Sequence, residues 1–357
     1  MITPRNPLGT GGVERHVMEV GRRLAAAGQE VEVLCGAPGE PGAIEHRDGV
    51  VVRSLRAWPR GRDYYIAPGI WTQMARRPRD VVHVQSYHTA IAPLAMLRAL
   101  ALRIPYVVTF HGGGHSSGLR NRLRRAQRRA LRPLLARAAR LVAVARFEID
   151  LYSEELGLPR DRFVWIPNGT ELPSHEDGER NGKPTPDLLA TIGRLERYKG
   201  HHRAIEALPH VISRRPDARL LVVGTGPYEQ DLRRLAEETG VADRVEFTSV
   251  PPGDGAAMAR LMNRVSLVVL LSEFETHPLV ALEAASADRP LLVAEAGGLA
   301  ELAEDGVARS VTLGADSGAV AAAIVEELEQ PSERRRPRLT TWDECAARLH
   351  DLYRSVV

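Results

Sequence analysis

Arg264-Val265-Ser266-Leu267-Val268-Val269-Leu270-Leu271-Ser272-Glu273-Phe274-Glu275-Thr276-His277-Pro278-Leu279-Val280-Ala281-Leu282-Glu283 reads as a strand, a loop and the start of a helix. The run up to Leu271 is apolar and rich in β-branched residues, the pattern of a buried strand. Pro278 suits the first turn of a helix, where its missing N–H has no intrahelical partner to lose. Glu275 then falls on the strand-to-helix loop, and Glu283 about a turn and a half into the helix. A helix N-terminus offers free N–H groups and the positive end of the dipole, which favour a phosphate. Two carboxylates beside a phosphate are costly unless they accept hydroxyl donors, and sugar and ribose hydroxyls are such donors. The segment points to an α/β fold with its ligand at a strand end, and to a nucleotide-sugar as that ligand.

The same alternation runs through the rest of the chain, which implies βαβ units and parallel sheets. Strands are expected at Glu30–Leu34, Val50–Val52, Val81–Val84, Tyr106–Phe110, Leu141–Val144 and Phe163–Ile166 in the first half. In the second half they are expected at Leu188–Ile192, Arg219–Val223, Val245–Phe247, Leu267–Leu271 and Pro290–Ala294. Helical patterns cover Val13–Ala27, closed by Gly28, then Leu119–Ala139 and Trp342–Val356. Only Met1–Thr3 precede the first loop, which points to a natural N-terminus earlier than Met1. A polar stretch with Pro173, Gly178, Asn181, Gly182, Pro184 and Pro186 has linker composition. The expected division is a domain over 1–171, a linker over 172–186, a second domain over 187–338 and a terminal helix over 339–357.

At 357 residues the chain exceeds one average core, in keeping with two domains. No apolar run approaches the roughly 20 residues that span a bilayer, and the N-terminus has no apolar signal core. The expected location is the cytoplasm. Cys35 and Cys345 are far apart and have no metal or redox spacing. A net charge of +3 argues against a dedicated nucleic-acid binder.

Four further loops stand where a parallel sheet places ligands, at the carboxyl ends of strands. Gly9-Thr10-Gly11-Gly12 precedes the first helix, and its glycines would let backbone approach a phosphate, or form a plain turn. Thr109-Phe110-His111-Gly112-Gly113-Gly114-His115 ends a strand with a histidine able to meet a sugar or phosphate oxygen. Gly193-Arg194-Leu195-Glu196-Arg197-Tyr198-Lys199-Gly200 offers Arg194 and Lys199 to a diphosphate, one as a planar fork and one as a point charge. Gly224-Thr225-Gly226-Pro227 starts like a dinucleotide fingerprint but lacks the third glycine and the later acidic residue, which disfavours an NAD enzyme.

Taken in order, these loops with Pro167-Asn168-Gly169 and the Glu275-x7-Glu283 pair resemble the retaining glycosyltransferases of family 4. The resemblance covers essentially the whole chain. It implies two Rossmann-like α/β domains facing across a cleft (the GT-B fold), with a terminal helix, here carrying Trp342, that crosses back to the first domain. It implies transfer of a sugar from a UDP- or GDP-type donor to an acceptor hydroxyl with retention, and no metal or other cofactor. Arg194 and Lys199 match the diphosphate-binding pair, and Gly11 and Gly12 the loop that closes over the phosphates. The Leu279 and Val280 amides complete that cradle. Glu275 matches the glutamate on the donor sugar, Glu283 the acceptor of both ribose hydroxyls, and His111 the histidine beside the transferred sugar. Gly224 and Gly226 belong to the nucleotide loop, and His88 with His111 marks the acceptor side. The acceptor is expected to be a carbohydrate, a lipid-linked molecule or a small molecule, with no nucleic acid involved.

Departures from the family pattern concentrate next to Glu275. Thr276-His277-Pro278 stands where Gly-Phe-Gly is usual, so Pro278 removes one N–H, and His277 can meet sugar or phosphate or simply pack. Asp288 replaces a common glycine, fitting a helix end where Asp tolerates left-handed geometry. Ala145 takes a position where serine is frequent. Two other readings use the same residues: a sugar-nucleotide 2-epimerase, and a nucleotide-sugar-binding protein without activity. The helix expected over 119–140 carries Arg120, Arg122, Arg124, Arg125, Arg128, Arg129, Arg132, Arg137 and Arg140. Its arginines form a solvated face, a peripheral contact with anionic lipid at the inner membrane face, or a hold on an anionic acceptor.

Overall fold

The computed structural model describes residues 1–9, 11–37, 42–59, 66–112, 118–171, 184–251, 253–331 and 339–357, with backbone alone at 37 and 118–125. Gly113, Gly114, His115, Thr10, most of the expected linker and the basic stretch at 332–338 lie outside the described residues. The chain forms two compact units. The first holds Met1–Gly112, Ser117–Gly169 and Thr340–Val357, and the second Thr170–Leu339. Pro184–Pro186, expected in the linker, belong to the second unit, where Thr185 N donates to Arg264 O at 2.9 Å.

In the first unit the elements are β1 (Ile2–Thr3), α1 (Gly12–Ala26), β2 (Val31–Ala37), β3 (Ile44–Arg47), β4 (Val50–Arg56), α2 (Gly69–Gln73) and β5 (Val82–Gln85). They continue as α3 (Ile91–Leu102), β6 (Tyr106–Thr109), α4 (Gly118–Leu135), β7 (Arg140–Ala143), α5 (Arg146–Leu156) and β8 (Phe163–Trp165). The sheet order is β3-β4-β2-β1-β5-β6-β7-β8. All pairs are parallel except β3–β4, a hairpin closed by Asp48 and Gly49 at φ 51° and 79°. Positive φ at both turn residues is what a two-residue hairpin loop needs, and Asp-Gly supplies it.

The second unit runs β9 (Leu188–Ile192), α6 (His201–Ile212), β10 (Arg219–Val223), α7 (Glu229–Glu238), β11 (Val245–Thr248), α8 (Gly255–Arg264) and β12 (Leu267–Leu270). Then come α9 (Leu279–Ser286), β13 (Leu291–Ala294), α10 (Gly298–Glu304), β14 (Arg309–Val311) and α11 (Ser317–Glu329). Its order, β11-β10-β9-β12-β13-β14, is that of a doubly wound dinucleotide fold. Alternate residues feed two cores: Leu220, Val222, Leu267 and Val269 face one side, and Leu221, Val223, Val268 and Leu270 the other. Burial on both faces is why these strands read as unbroken apolar runs.

α12 (Trp342–Arg354) closes the first unit against α1. Thr341 and Glu344 cap it reciprocally. A Cβ on Gly169 would sit 2.4 Å from Trp342 Cα, so only glycine admits the buried Trp342 there.

α4 is shorter than the sequence pattern implied. It ends at Leu135, not Ala139, and Arg140 opens β7. Pro133 removes one intrahelical N–H near that end, and Ala139 N is already bonded to Tyr106 O at 2.8 Å. Arg128 turns inward to the Tyr87 hydroxyl and to Glu155, and Arg132 to Leu156 O. Among its described arginines, Arg129 and Arg132 are exposed. Among the described residues no helix is long and apolar enough to cross a membrane.

Candidate functional site

In a doubly wound sheet the ligand crevice opens where strand order reverses, because the two neighbouring loops leave in opposite directions. In the second unit that point lies between β9 and β12. The loop after β9 carries Arg194 and Lys199, and the loop after β12 carries Glu275 and His277. Lys199 Nζ donates to Glu275 Oε1 at 2.6 Å, and Ser272 Oγ donates to the same oxygen at 3.0 Å. Burial pulls the Lys199 ammonium down, but Glu275, with Tyr198 and Glu196 beside it, more than reverses this, and the pKa of Lys199 is raised. Arg194 is 51 % exposed and meets Glu196 at 2.7 Å. Glu283 is 2 % exposed within α9, and His277 is half-buried.

Backbone packing fixes these loops. A Cβ on Gly224 would lie 1.9 Å from Gly193 O, on Gly226 2.3 Å from Leu195 O, and on Gly200 2.0 Å from Leu271 O. The absent side chains at Gly224 and Gly226 are thus accounted for by support of the Arg194 loop. His201, buried at the start of α6, donates from Nε2 to Arg194 O at 3.1 Å and meets Thr191 Oγ1 at 2.9 Å through Nδ1. Burial lowers its pKa to about 4, so it holds that carbonyl as a neutral ring.

Pro278 is the N-cap rather than a first-turn residue, with φ −70° and ψ 112°. The first helical amides are therefore those of Leu279 and Val280. Asp288 follows α9 at φ 58°, the left-handed conformation read from its replacement of glycine.

The first unit reverses order between β1 and β5. Gly11 and Gly12 close the loop after β1, and His88 lies half-buried in the loop after β5. A Cβ on Gly11 would overlap the Glu14 carboxylate at 2.1 Å. His111 follows β6, buried, at a left-handed φ of 35°. Its Nε2 is 2.6 Å from Gln85 Oε1, and its ring centroid is 4.7 Å from that of His16. His16 binds Asn168 at 2.9 Å, and His83 bonds Thr109 and Tyr353. Burial holds the pKa of His111 and His83 well below the ordinary histidine range and that of His16 at about 4.

The sequence matches the family model described as Glycosyltransferase Family 4 over residues 10–172 and that described as Glycosyl transferases group 1 over residues 174–340. The chain is a family 4 glycosyltransferase. It is 29 % identical to the glycogen synthase of Mycobacterium tuberculosis H37Rv, over 97 % of this chain and 92 % of that protein. It is 28 % identical to D-inositol 3-phosphate glycosyltransferase 1 of Catenulispora acidiphila, over 97 % and 91 %. Its fold matches Anabaena HepE, solved with UDP and glucose, at a TM-score of 0.76 and 18 % identity, covering 99 % of this chain and 98 % of that one.

The structure brings Lys199 and Glu275 of the glycosyltransferase into contact, and holds Arg194 on a neighbouring carboxylate. Sequence reasoning gave no role to Ser272, His201, His16, His83 and Gln85. A signal existed for the last two: His83 and Gln85 alternate on an otherwise apolar strand, where buried polar groups need partners.

Proposed function

We propose that this glycosyltransferase moves a sugar from a nucleoside-diphosphate sugar to an acceptor hydroxyl with retention of anomeric configuration. The observation that carries the reading is the Lys199–Glu275 contact at the strand-order reversal of the second unit, 2.6 Å long and backed by Ser272. A cation and a hydroxyl-accepting carboxylate there suit a diphosphate and the sugar attached to it. Lys199 and Arg194, with the Leu279 and Val280 amides, stabilise the charge on the departing diphosphate. Glu275 accepts from donor-sugar hydroxyls and Glu283 from the ribose. His111 stands on the sugar side and His88 on the acceptor side. The acceptor attacks on the face the diphosphate leaves, and the leaving phosphate takes its proton. The cations supply what a metal would, so no metal enters the scheme.

UDP-sugars are the first donors to try, since HepE was solved with UDP. Glucan and inositol phosphate are the first acceptors, after the names of the two relatives. Docking on anionic lipid through the outward arginines of α4 belongs to the same reading, and liposome sedimentation of an Arg129→Gln variant checks it.

The experiment is incubation with UDP-, GDP- and ADP-sugars and these acceptors, following nucleoside diphosphate release and the product's anomeric coupling by NMR. Acceptor-dependent release with a retained anomer supports the proposal. Donor isomerisation without transfer means an epimerase, binding without turnover means a binding protein, and an inverted product overturns retention.

A further inference from the structure

The polar groups buried beneath His111 form one connected set in the first unit. Gln85 Oε1 meets His111 Nε2 at 2.6 Å, and Gln85 Nε2 points to His83 Nδ1 at 3.2 Å. His83 Nδ1 also meets the Tyr353 hydroxyl of α12, and His83 Nε2 meets Thr109 Oγ1 at 2.6 Å. Two tautomers of His83 satisfy the partners: Tyr353 and the Gln85 amide donate to Nδ1 while Nε2–H donates to Thr109, or Nδ1–H donates to Tyr353 while Thr109 and the Gln85 amide, 3.4 Å away, donate to Nε2. In both the Gln85 amide donates to His83, and His111 Nε2–H donates to Gln85 Oε1. A neutral imidazole protonated at Nε2 carries a lone pair at Nδ1.

The backbone is strained on both sides of this bond. Ser86, next to Gln85, has φ 71°, and His111 has φ 35°. Non-glycine residues in this region persist only where surrounding contacts impose it, and such positions gather at functional sites. Here the contacts are Ser86 N to Thr109 O at 2.9 Å and Gly112 N to the fully buried Glu148 at 3.2 Å.

We propose that Gln85 is a positioning residue that locks His111 as its Nε2–H tautomer, so that His111 meets the transferred sugar as a hydrogen-bond acceptor through Nδ1, and that His83 and Tyr353 set the sense of the Gln85 amide. The inference rests on the reading of His111 as a sugar-side group. A hydroxyl that donates to His111 is recognised, and an acceptor-only group in its place, such as an ether oxygen or fluorine, is not. The terminal helix thereby reaches the site through two side chains without touching a ligand.

The titratable groups around His111 are His16 on α1, His83 on β5, His88 after β5, Tyr353 on α12 through His83, and Glu148 on α5 through the Gly112 amide. Burial, with His16, His83 and His88 as neighbours, keeps the ring neutral.

Ring-nitrogen NMR of ¹⁵N-histidine-labelled protein reads the tautomer without reference to activity. The wild type is expected to show His111 as Nε2–H from pH 6 to pH 8. In Gln85→Leu the two tautomers should mix, and kcat should fall about tenfold to a hundredfold, the scale on which hydrogen-bond partners of functional histidines act, with donor KM little moved. Gln85→Glu should place a carboxylate on Nε2 and charge the ring, adding a pH dependence to kcat near neutrality that the wild type lacks. Tyr353→Phe should shift the tautomer ratio more weakly. An unchanged Nε2–H tautomer in Gln85→Leu, or an Nδ1–H tautomer in the wild type, overturns the inference. His111→Ala tests the underlying reading separately: full turnover there removes His111 from the sugar side, whatever tautomer Gln85 imposes.

Discussion

The two units use one topology at their strand-order reversals and opposite electrostatics. In the second unit Lys199 and Glu275 are in contact, and Arg194 faces Glu196. In the first, His16, His83 and His111 are buried among an amide, hydroxyls and one another. Burial opposes charge in both. It loses at Lys199 because a carboxylate lies 2.6 Å away, and wins at the histidines because their neighbours are neutral or would be cationic. The comparison separates two tasks. On the proposed function, charge is kept where a leaving diphosphate would gather charge, and neutral donors and acceptors where sugar hydroxyls would be told apart.

The largest effects should come from the ionic half. Lys199→Ala and Glu275→Ala are each expected to cut kcat/KM by about a hundredfold to a thousandfold, measured as nucleoside diphosphate release, with melting temperature nearly unchanged. Near-wild-type turnover in either breaks the comparison at once. The neutral half predicts an acid limit on stability. His16, His83 and His111 have folded pKa values below their unfolded value near 6.5, so between the two the unfolded chain binds more protons. Stability is full above about pH 6.5 and falls as pH drops toward 4, by about 1.4 kcal/mol per pH unit for each histidine. His201 and His202 add to it with the same sign. A urea midpoint that stays flat between pH 7.5 and pH 5 contradicts neutral histidines.

Smaller changes sharpen the contrast. Glu283→Gln should raise donor KM about tenfold with less change in kcat, since a hydroxyl bond to a charged acceptor is weakened rather than lost. Equal KM values for both proteins would take the ribose from Glu283. The smallest effect lies outside both sites: Asp288→Gly relieves a left-handed residue at φ 58° and should stabilise by up to about 1 kcal/mol, read as a rise of a few degrees or less in Tm.

The second unit was the more legible in sequence because its strands are buried on both faces and its site residues are charged. Charges in short loops between apolar runs stand out, and Arg194, Lys199 and Glu275 were read from that contrast, with Glu283 read from its place in the helix that follows. The first unit hides its site. His83 and Gln85 sit inside a strand, His16 inside a helix and Tyr353 near the chain's end, and only the fold brings them under His111. Sequence spacing carries no record of contacts between residues 270 positions apart. The β3–β4 hairpin was legible and overlooked, since Arg47-Asp48-Gly49-Val50 holds a strong turn signal. The end of α4 was misjudged because alanines 136, 138 and 139 favour helix while β7 claims the chain.

The central claim is that the strand-order reversal of the second unit binds the donor's diphosphate through Lys199. Calorimetric titration of UDP, GDP and ADP into wild type, Lys199→Ala and Glu275→Ala tests it most directly. At least one diphosphate should bind the wild type, Lys199→Ala should lose most of that affinity, and Glu275→Ala, with Lys199 freed from its carboxylate, should bind as tightly or more tightly. Binding to Lys199→Ala at wild-type strength, or no binding of any diphosphate to the wild type, would contradict the account.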